Sequence, residues 1–483
     1  MCGMWACFHN TKEIPADPGI YYLNKRGPDE MSILILKNIV FGFSHLKING
    51  STPQPLRHGR WSILCNGEIF NHAELEKKLG ITPPPGSSDC WILPYLFNEY
   101  GFKDVYPLLD GEFSIIAYDS LENTVYLYRD TYGTKPLFWG RTESSFHIGS
   151  EIKSLRECHS VEWVKPGACT IINTTVSYIE YMLVSQNLKN TLYMDFSPRV
   201  RAILENAVKK RCMTDRPFGA LLSGGIDSSI ICSILAKQGP LHTFSIGIEG
   251  SPDLKYAKIV AEHIGSTHHE IVHTAETFQN SIIQVICDIE SYDVTTVRAS
   301  VGNWLVGKYI AENTNIKVVF NGDGSDELFG GYLYFHMVPS DVEFKKETAR
   351  LLKDIHMYDV LRSERSMSSH GLESRTPFLD PELTVFVSSI PAAFLRPSGV
   401  EKRLLRELFR KDLPSEIIDR QKEAFSDGVN NGIPWFKRDD EEEYYKMVFD
   451  MFYPDRNIIP YKWMPKWIKA SDPSAKIYMN EGS

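Results

Sequence analysis

Leu221-Leu222-Ser223-Gly224-Gly225-Ile226-Asp227-Ser228-Ser229 is the stretch on which the fold turns. The apolar run 218–222 reads as a buried strand, and 230–237 reads as a helix. Between them lies a Gly-Gly turn with hydroxyls on both sides. Glycines let backbone N–H groups approach an anion closely, and a helix N-terminus adds partial positive charge. The turn therefore reads as a phosphate cradle. It is not a Walker loop, because no Gly-Lys-Ser/Thr follows. An ordinary strand–turn–helix has the same outline, so the turn alone separates the two readings weakly.

Downstream the pattern alternates. Strand 241–248 is followed by helix 253–264, and strand 267–272 by two helical stretches, 276–289 and 297–311. Strand 316–320 then enters a second Gly-rich turn. Repeated βαβ units predict a parallel sheet with right-handed crossovers, whose ligands bind at the carboxyl ends of strands. Both turns sit at such ends. The second, Asn321-Gly322-Asp323-Gly324-Ser325-Asp326-Glu327, places three acids within five residues. Hard carboxylates suit Mg²⁺, which commonly accompanies ATP phosphates; a polar loop capping a helix is the plainer reading. From about 335 on the chain reads as mainly helical. Upstream, Ser197-Pro198 reads as an N-cap with Pro at N1, and Val200, Ile203, Leu204 and Val208 form the apolar face of that helix.

The first ~190 residues alternate with the period of strands. Strand candidates are 61–65, 113–118, 124–128 and 169–172, with helical patches at 73–79 and 89–99. A boundary falls near Asn187 to Met194, so two domains are expected in 483 residues, possible third aside: 1–190 and 195–483. Hydrophobic and charged shares of 43% and 23% are those of ordinary globular proteins. The net charge of −9, with no long basic run, does not suggest nucleic-acid binding. The acidic run from Asp439 to Glu443 reads as a solvated helix start. Nine cysteines without paired C-x-x-C spacing indicate neither a disulfide framework nor a zinc site, and point to a reducing, cytoplasmic setting. No signal peptide is read at Met1-Cys2-Gly3-Met4-Trp5. The apolar stretch from Met31 to Phe43, broken by Lys37 and Asn38, is too short and polar to span a bilayer.

Met1-Cys2-Gly3 carries a second chemistry. Removal of Met1 exposes Cys2 with a free α-amine, whose pKa of roughly 7.7–8.0 leaves it substantially neutral near physiological pH. Such an amine can take the thiol proton, so one residue supplies both nucleophile and base. A cysteine at position 2 is, taken alone, more simply incidental.

Its context changes the weighing. Arg26-Gly27-Pro28-Asp29, Cys65-Asn66-Gly67-Glu68-Ile69-Phe70, Ser88-Asp89, Asp110-Gly111-Glu112-Phe113, Arg129-Asp130-Thr131-Tyr132-Gly133 and Ser150-Glu151-Ile152-Lys153 follow in order. Cys2 with this series resembles the class II, N-terminal nucleophile, glutamine amidotransferases. The Ser223–Ser229 turn resembles the PP-loop of ATP pyrophosphatases. Together they resemble the glutamine-hydrolysing asparagine synthetase family. Gly250-Ser251-Pro252-Asp253-Leu254, Tyr292 to Ser300, Arg375 to Asp380, Glu401 to Arg406, Arg420-Gln421-Lys422-Glu423 and the tail Asp472-Pro473-Ser474-Ala475 extend the likeness nearly end to end.

The resemblance implies an α+β N-terminal nucleophile domain, an αββα sandwich, followed by an α/β parallel-sheet PP-loop synthetase domain with a helical C-terminal part. It implies ATP-dependent amidation of L-aspartate through β-aspartyl-AMP, with ammonia from glutamine passed through an internal tunnel, releasing AMP, pyrophosphate and glutamate. By position, Cys2 is the nucleophile, and Asn66 and Gly67 form the oxyanion hole. Glu68 and Asp89 bind the amino group of glutamine, and His45 stands where an arginine binds its carboxylate. Leu222, Ser223, Gly224, Gly225, Asp227, Ser228, Ile246, Asn321 and Gly322 bind ATP. Asp227 and Asp326 hold Mg²⁺, Lys402 faces the reacting phosphate, and Asp323 is the base for ammonia. The implied partners are small-molecule substrates, with no nucleic acid and no membrane; the oligomeric state is open, a homodimer included.

This chain departs from the family pattern twice. Asp323 stands where glutamate is common, one methylene shorter. His45-Leu46-Lys47-Ile48 stands where Arg-Leu-Ser-Ile is the pattern. Histidine offers one donor and is mostly neutral above its usual pKa of about 6.5, which predicts weak glutamine binding that improves as pH falls toward 6. Lys47 or Arg57 reaching the carboxylate is the alternative. Rival readings of the whole are an amidotransferase of this architecture acting on another carboxylate, a mainly ammonia-dependent synthetase, and a catalytically silent binding protein. The Gly250–Leu254 and Tyr292–Ser300 stretches favour aspartate.

Overall fold

The computed structural model describes residues 1–9, 18–181, 193–421, 428–430, 440–454 and 460–468. Residues 187–192 of the expected boundary, Lys422-Glu423, Asp439 and the tail at 472–475 lie outside the described residues.

The first unit runs through β1 (Gly3–His9), β2 (Glu30–Ile35), β3 (Ile39–His45), β4 (Leu56–His58), β5 (Trp61–Ile69), α1 (His72–Leu79), α2 (Leu93–Asp104) and β6 (Gly111–Asp119). It continues through β7 (Thr124–Arg129), β8 (Phe138–Arg141), β9 (Ser145–Gly149), β10 (Ser160–Trp163), β11 (Ala168–Ile172) and β12 (Val176–Glu180). The strands form two six-stranded sheets, in the orders β10-β8-β9-β1-β3-β2 and β12-β11-β7-β6-β5-β4. The sheets share one apolar core, in which Phe41 and Phe43 meet Leu64, Ile116 and Leu127. On the outer face of the second sheet, Leu75 of α1 and Leu93, Leu96 and Phe97 of α2 cover Ile63, Cys65, Ile115 and Tyr128. Covering on both faces explains why every residue of β6 is buried. The first sheet's outer face carries short 3₁₀ turns at Gly19–Leu23 and Ile152–Leu155. The expected sandwich is present.

The second unit contains α3 (Tyr193–Lys210), β13 (Phe218–Leu221), α4 (Ile226–Ala236), β14 (His242–Ile248), α5 (Pro252–Ile264), β15 (Thr267–His273), α6 (Ala275–Ile289) and α7 (Val294–Asn313). Then come β16 (Val318–Phe320), α8 (Ser325–Phe329), α9 (Asp341–Asp354), α10 (Asp359–Ser368) and β17 (Glu373–Arg375). Its sheet has the order β15-β14-β13-β16-β17, with every pair parallel. From β13 the chain winds outward through β14 and β15, then returns to β16 on the other side. The reversal leaves a crevice at the carboxyl ends of β13 and β16, where the two Gly-rich turns lie. Both faces are covered: Ala220, Val318 and Phe320 point into one core, Phe244, Ile246 and Val319 into the other.

Several helix starts differ from expectation: α4 begins at Ile226 rather than 230, α2 at Leu93 after a 3₁₀ turn at Asp89–Ile92, and two more have a clear physical reason. α3 begins at Tyr193, and Pro198 lies inside it. Burial of Phe196, Val200 and Leu204 along one face outweighs the single backbone bond that proline removes. α7 begins at Val294, because the Asp293 carboxylate accepts the Thr296 N–H and caps the helix three residues early. Among the described residues all nine cysteines are free thiols, and no helix is long and apolar enough to cross a membrane.

Candidate active sites

A cleft of about 170 Å³ opens at the carboxyl ends of β13 and β16. Leu222, Ser223, Gly225, Asp227, Ser228, Ile246, Asn321, Gly322, Asp323, Asp326 and Lys402 all line it. Gly224 does not; a Cβ there would lie 2.4 Å from the Tyr256 backbone, so it faces α5. The first turn is held by its own hydroxyls. Ser223 N–H donates to Ser228 Oγ at 3.2 Å, and Ser229 Oγ donates to the Gly225 carbonyl at 2.7 Å. Arg420 braces it from the far end of the chain, donating to the Ser223 carbonyl at 3.0 Å while pairing with Asp253 at 2.7 Å. The N–H groups at the start of α4 lack helical partners and open toward the cleft.

The cleft is rich in charge. Lys402 Nζ lies 2.5 Å from Asp227 Oδ2 and 2.6 Å from Asp326 Oδ1, so one ammonium bridges two carboxylates. Gly331 leaves room for this pair, since a Cβ there would lie 2.0 Å from Lys402 Cε and 2.1 Å from Asp326 Oδ1 and would push both side chains aside. Asp323 Oδ1 accepts from Arg362 at 3.0 Å, and its Oδ2 has no hydrogen-bond partner among the described residues. Burial pushes Asp323 up to about 6, against the opposing pull of Arg362. Arg362 also pairs with Asp359 at 3.1 Å. Glu327 accepts from Tyr332 Oη at 2.5 Å, and burial, then Asp359 and Asp326, push it up to about 8. These surroundings favour its protonated form.

The second site lies where β1, β3 and β5 meet the synthetase-side strand β17. Cys2 Sγ is 3.5 Å from the Leu46 N and 3.7 Å from the Leu46 carbonyl. Cys2 N–H donates to Asn66 Oδ1 at 2.9 Å, which leaves the buried Asn66 Nδ2 with no acceptor among the described residues. An unsatisfied buried donor beside a thiol is suited to an oxyanion. Gly67 has φ +128° within β5, and a Cβ there would lie 1.9 Å from the Glu112 carbonyl, so only glycine keeps this strand conformation. Burial pushes the Cys2 thiol up to about 12. With Met1 in place, the neighbouring amine belongs to Met1; it lies 3.5 Å from the Leu372 carbonyl, and burial lowers it to about 6.

Two buried carboxylates flank this site. Asp89 Oδ2 accepts the Ile69 N–H at 2.6 Å, and burial raises it to about 6. Glu68 Oε1 lies 3.4 Å from Arg375 Nη2, its Oε2 has no hydrogen-bond partner among the described residues, and burial, then Asp89, hold it well above the usual carboxylate range. Neighbouring carboxylates that repel in a dry setting favour an incoming ammonium. His45 is buried against Phe43, ring centroids 5.2 Å apart. Burial, then Lys47, push it down to about 4, so it is neutral from pH 6 to 8.5. Desolvation disfavours the imidazolium and so works against the gain of charge near pH 6 expected from the sequence.

Residues 1–191 match the glutamine amidotransferase domain family, and residues 199–343 and 336–450 match the asparagine synthase family. The glutamine-hydrolysing asparagine synthetase of Gallus gallus is 36% identical over 99% of this chain and 98% of its own length. Those of Mus musculus and Homo sapiens are 37% identical with the same coverage. The chain belongs to the glutamine-hydrolysing asparagine synthetase family.

In this asparagine synthetase family member the sites draw on residues the motifs did not assign. Arg362 and Glu327 complete the cleft, with Tyr332 bonded to Glu327 behind it, and Arg375 reaches Glu68 from the other unit. Arg375 and Arg420 stand in quoted motifs, but nothing local marks their partners, which are 307 and 167 residues distant. Of the two stretches taken to favour aspartate, Gly250–Leu254 brings Asp253 to the cleft. No residue of 292–300 lines the cleft, while Asn303 and Val306 of α7 do. Arg298 is buried and donates through Nε to Glu441 at 3.0 Å, so it braces the helix Glu441–Phe452.

Proposed function

We propose that residues 195–483 amidate L-aspartate in the cleft while residues 1–190 supply ammonia from L-glutamine at Cys2. The observation that carries this reading is the meeting of the Ser223–Ser229 turn, Asp323 and Lys402 in one cleft. A carboxylate oxygen of aspartate attacks the α-phosphorus of ATP; the bond from that phosphorus to the β-phosphate bridge breaks, and pyrophosphate leaves. The turn N–H groups and Lys402 hold the departing charge. Ammonia then attacks the β-carbonyl of β-aspartyl-AMP, Asp323 takes a proton from the nitrogen, and AMP leaves.

Asp227 and Asp326 fit a Mg²⁺ ion. Two hard carboxylates held side by side by one ammonium are a donor set that magnesium completes with phosphate oxygens and water. When bound there, the ion neutralises charge on the phosphates.

At the other site Cys2 Sγ attacks the glutamine amide carbon. The freed α-amine of Cys2 takes the thiol proton and returns it to the leaving ammonia; water then cleaves the thioester. Asn66 Nδ2 and Gly67 N–H face the oxyanion, and Glu68 and Asp89 hold the substrate ammonium. The test is incubation with ATP, Mg²⁺, aspartate and glutamine. Asparagine, glutamate, AMP and pyrophosphate are the expected products; ADP and phosphate as major products overturn the reading.

A further inference from the structure

Arg26 is a wholly buried guanidinium that touches both units. Its Nε donates to the Cys2 carbonyl at 3.0 Å, and its Nη1 donates to Glu151 Oε1 at 2.7 Å. Its remaining strong partners come from α10. Nη1 donates to Ser368 Oγ at 3.0 Å, and Nη2 pairs with Glu364 Oε1. The next contact of Nη2 is only the Met1 sulfur at 3.9 Å. Without Glu364, Arg26 keeps Glu151 on Nη1 but its buried Nη2 is left with no carboxylate, which is costly, so the first unit alone holds this pose only in part. Glu364 is itself pinned, with Arg365 Nε 3.5 Å away and Arg365 in turn bound to Glu290 at 2.8 Å.

The same helix serves the cleft. Arg362 of α10 holds Asp323, while Glu364, two residues on, holds Arg26. At 3.6 residues per turn these side chains leave the helix about 200° apart, so α10 stands as a wall between the two sites. We propose that α10 of the synthetase unit completes the glutaminase site, with Glu364 and Ser368 acting as positioning residues that hold Cys2 through Arg26. This inference rests on Cys2 being the glutaminase nucleophile. Its consequence is that glutamine hydrolysis belongs to the two-unit chain rather than to the first unit.

The test uses the full chain and four variants: Glu364→Ala, Glu364→Gln, Ser368→Ala and, as reference, Cys2→Ala. Glutaminase kcat and KM are measured beside ammonia-dependent asparagine synthesis, which reports that the synthetase unit is folded. In Glu364→Ala the glutaminase kcat should fall ~10²-fold, the loss typical of a reacting group displaced by about 1 Å. Glutamine KM and the ammonia-dependent rate should stay within about twofold. Glu364→Gln should recover part of the loss, because its amide oxygen still accepts from Arg26. Ser368→Ala should lower kcat ~10-fold, again with KM unmoved. A glutaminase kcat within twofold of the parent in Glu364→Ala overturns the proposal. So does an equal fall of both activities in Ser368→Ala, which marks general structural support, or a rise in KM alone. If Glu364→Ala loses ammonia-dependent synthesis, Ser368→Ala decides by the same criteria. Cys2→Ala retaining glutaminase activity would remove the nucleophile assignment itself and this inference with it, whereas loss in Cys2→Ala with no effect at Glu364 and Ser368 overturns this inference alone.

Discussion

The synthetase cleft and the Cys2 site solve their chemistry by different physical means. The cleft is built from ions: Lys402 between Asp227 and Asp326, and Arg362 between Asp323 and Asp359. The Cys2 site is nearly neutral where bonds change. Its thiol is held protonated by burial, its oxyanion donor is an amide, and His45 carries no charge near neutral pH. Moving pyrophosphate demands compensation of several charges at once, so the cleft keeps cations in place before substrate arrives. Acyl transfer creates one oxyanion at a time, and two aimed dipoles serve it. While Met1 is attached, the Cys2 nitrogen is an amide that donates to Asn66 Oδ1 and cannot act as a base. Removal of Met1 turns that amide into an amine.

The largest effects should therefore separate the two sites completely. Cys2→Ala should abolish glutamine hydrolysis and glutamine-driven asparagine formation while ammonia still supports synthesis. Lys402→Ala should lower asparagine formation from either nitrogen source by ~10²–10³-fold and spare glutaminase activity. A Lys402→Ala enzyme that makes asparagine at the parental rate would end the claim that this ammonium compensates the reacting phosphates. Retained Met1 should reproduce the Cys2→Ala phenotype. Mass spectrometry that finds Met1 intact in a fully glutamine-active preparation would refute the amine as base.

Asp323 comes next in size. Asp323→Asn should cost ~10²–10⁴-fold in asparagine formation, the range of a lost general base. The sign of its pH dependence follows from its surroundings. Burial raises its pKa to about 6, and a base works when ionised, so the ammonia-dependent rate should fall as pH drops through about 6. Arg362 lowers that pKa, so Arg362→Gln should move the acid limb to higher pH. A limb that stays in place assigns the titration to another group, with Glu327 the nearest alternative through its pKa of about 8.

What was legible in the sequence followed from how far each residue's partners lie along the chain. The Ser223–Ser229 turn, the Asn321–Glu327 turn and β13 to β16 have short-range patterns, and the structure places them as read. Gly67 was legible as part of a motif, though its φ of +128° comes from packing on Glu112 of the neighbouring strand. Arg362 was not legible. It sits in α10, in a stretch that reads only as helical, yet all ten residues from 360 to 369 are buried. Such burial is set by domain docking, which periodicity does not encode. Pro198 misled for the opposite reason: a strong local stop signal lost to the buried face of α3.

His45 should give the smallest effect and the sharpest view of the neutral site. An arginine would clamp the glutamine carboxylate with two charge-assisted bonds, whereas a neutral imidazole offers one ordinary donor. His45→Arg should therefore lower the glutamine KM, by ~10-fold or more if one charge-assisted bond of roughly 1.5–3 kcal/mol is gained. The parent KM should be flat from pH 6 to 8.5. Its imidazole, depressed to about 4 by burial and Lys47, gains a proton only below that window, so no charge is available to strengthen binding as pH falls to 6. The measurement is glutamine KM for both enzymes across that range. A parental KM that improves toward pH 6 would show that His45 ionises there and is less desolvated in solution than its packing on Phe43 requires. Equal values for both enzymes at every pH would take His45 out of the carboxylate site. Lys47 is then the next residue to test, because its exposed pair with Glu30 at 3.0 Å is worth only about 0–1 kcal/mol and yields readily to a substrate carboxylate. Lys47→Ala raising the KM while His45→Arg leaves it unchanged would place the carboxylate there.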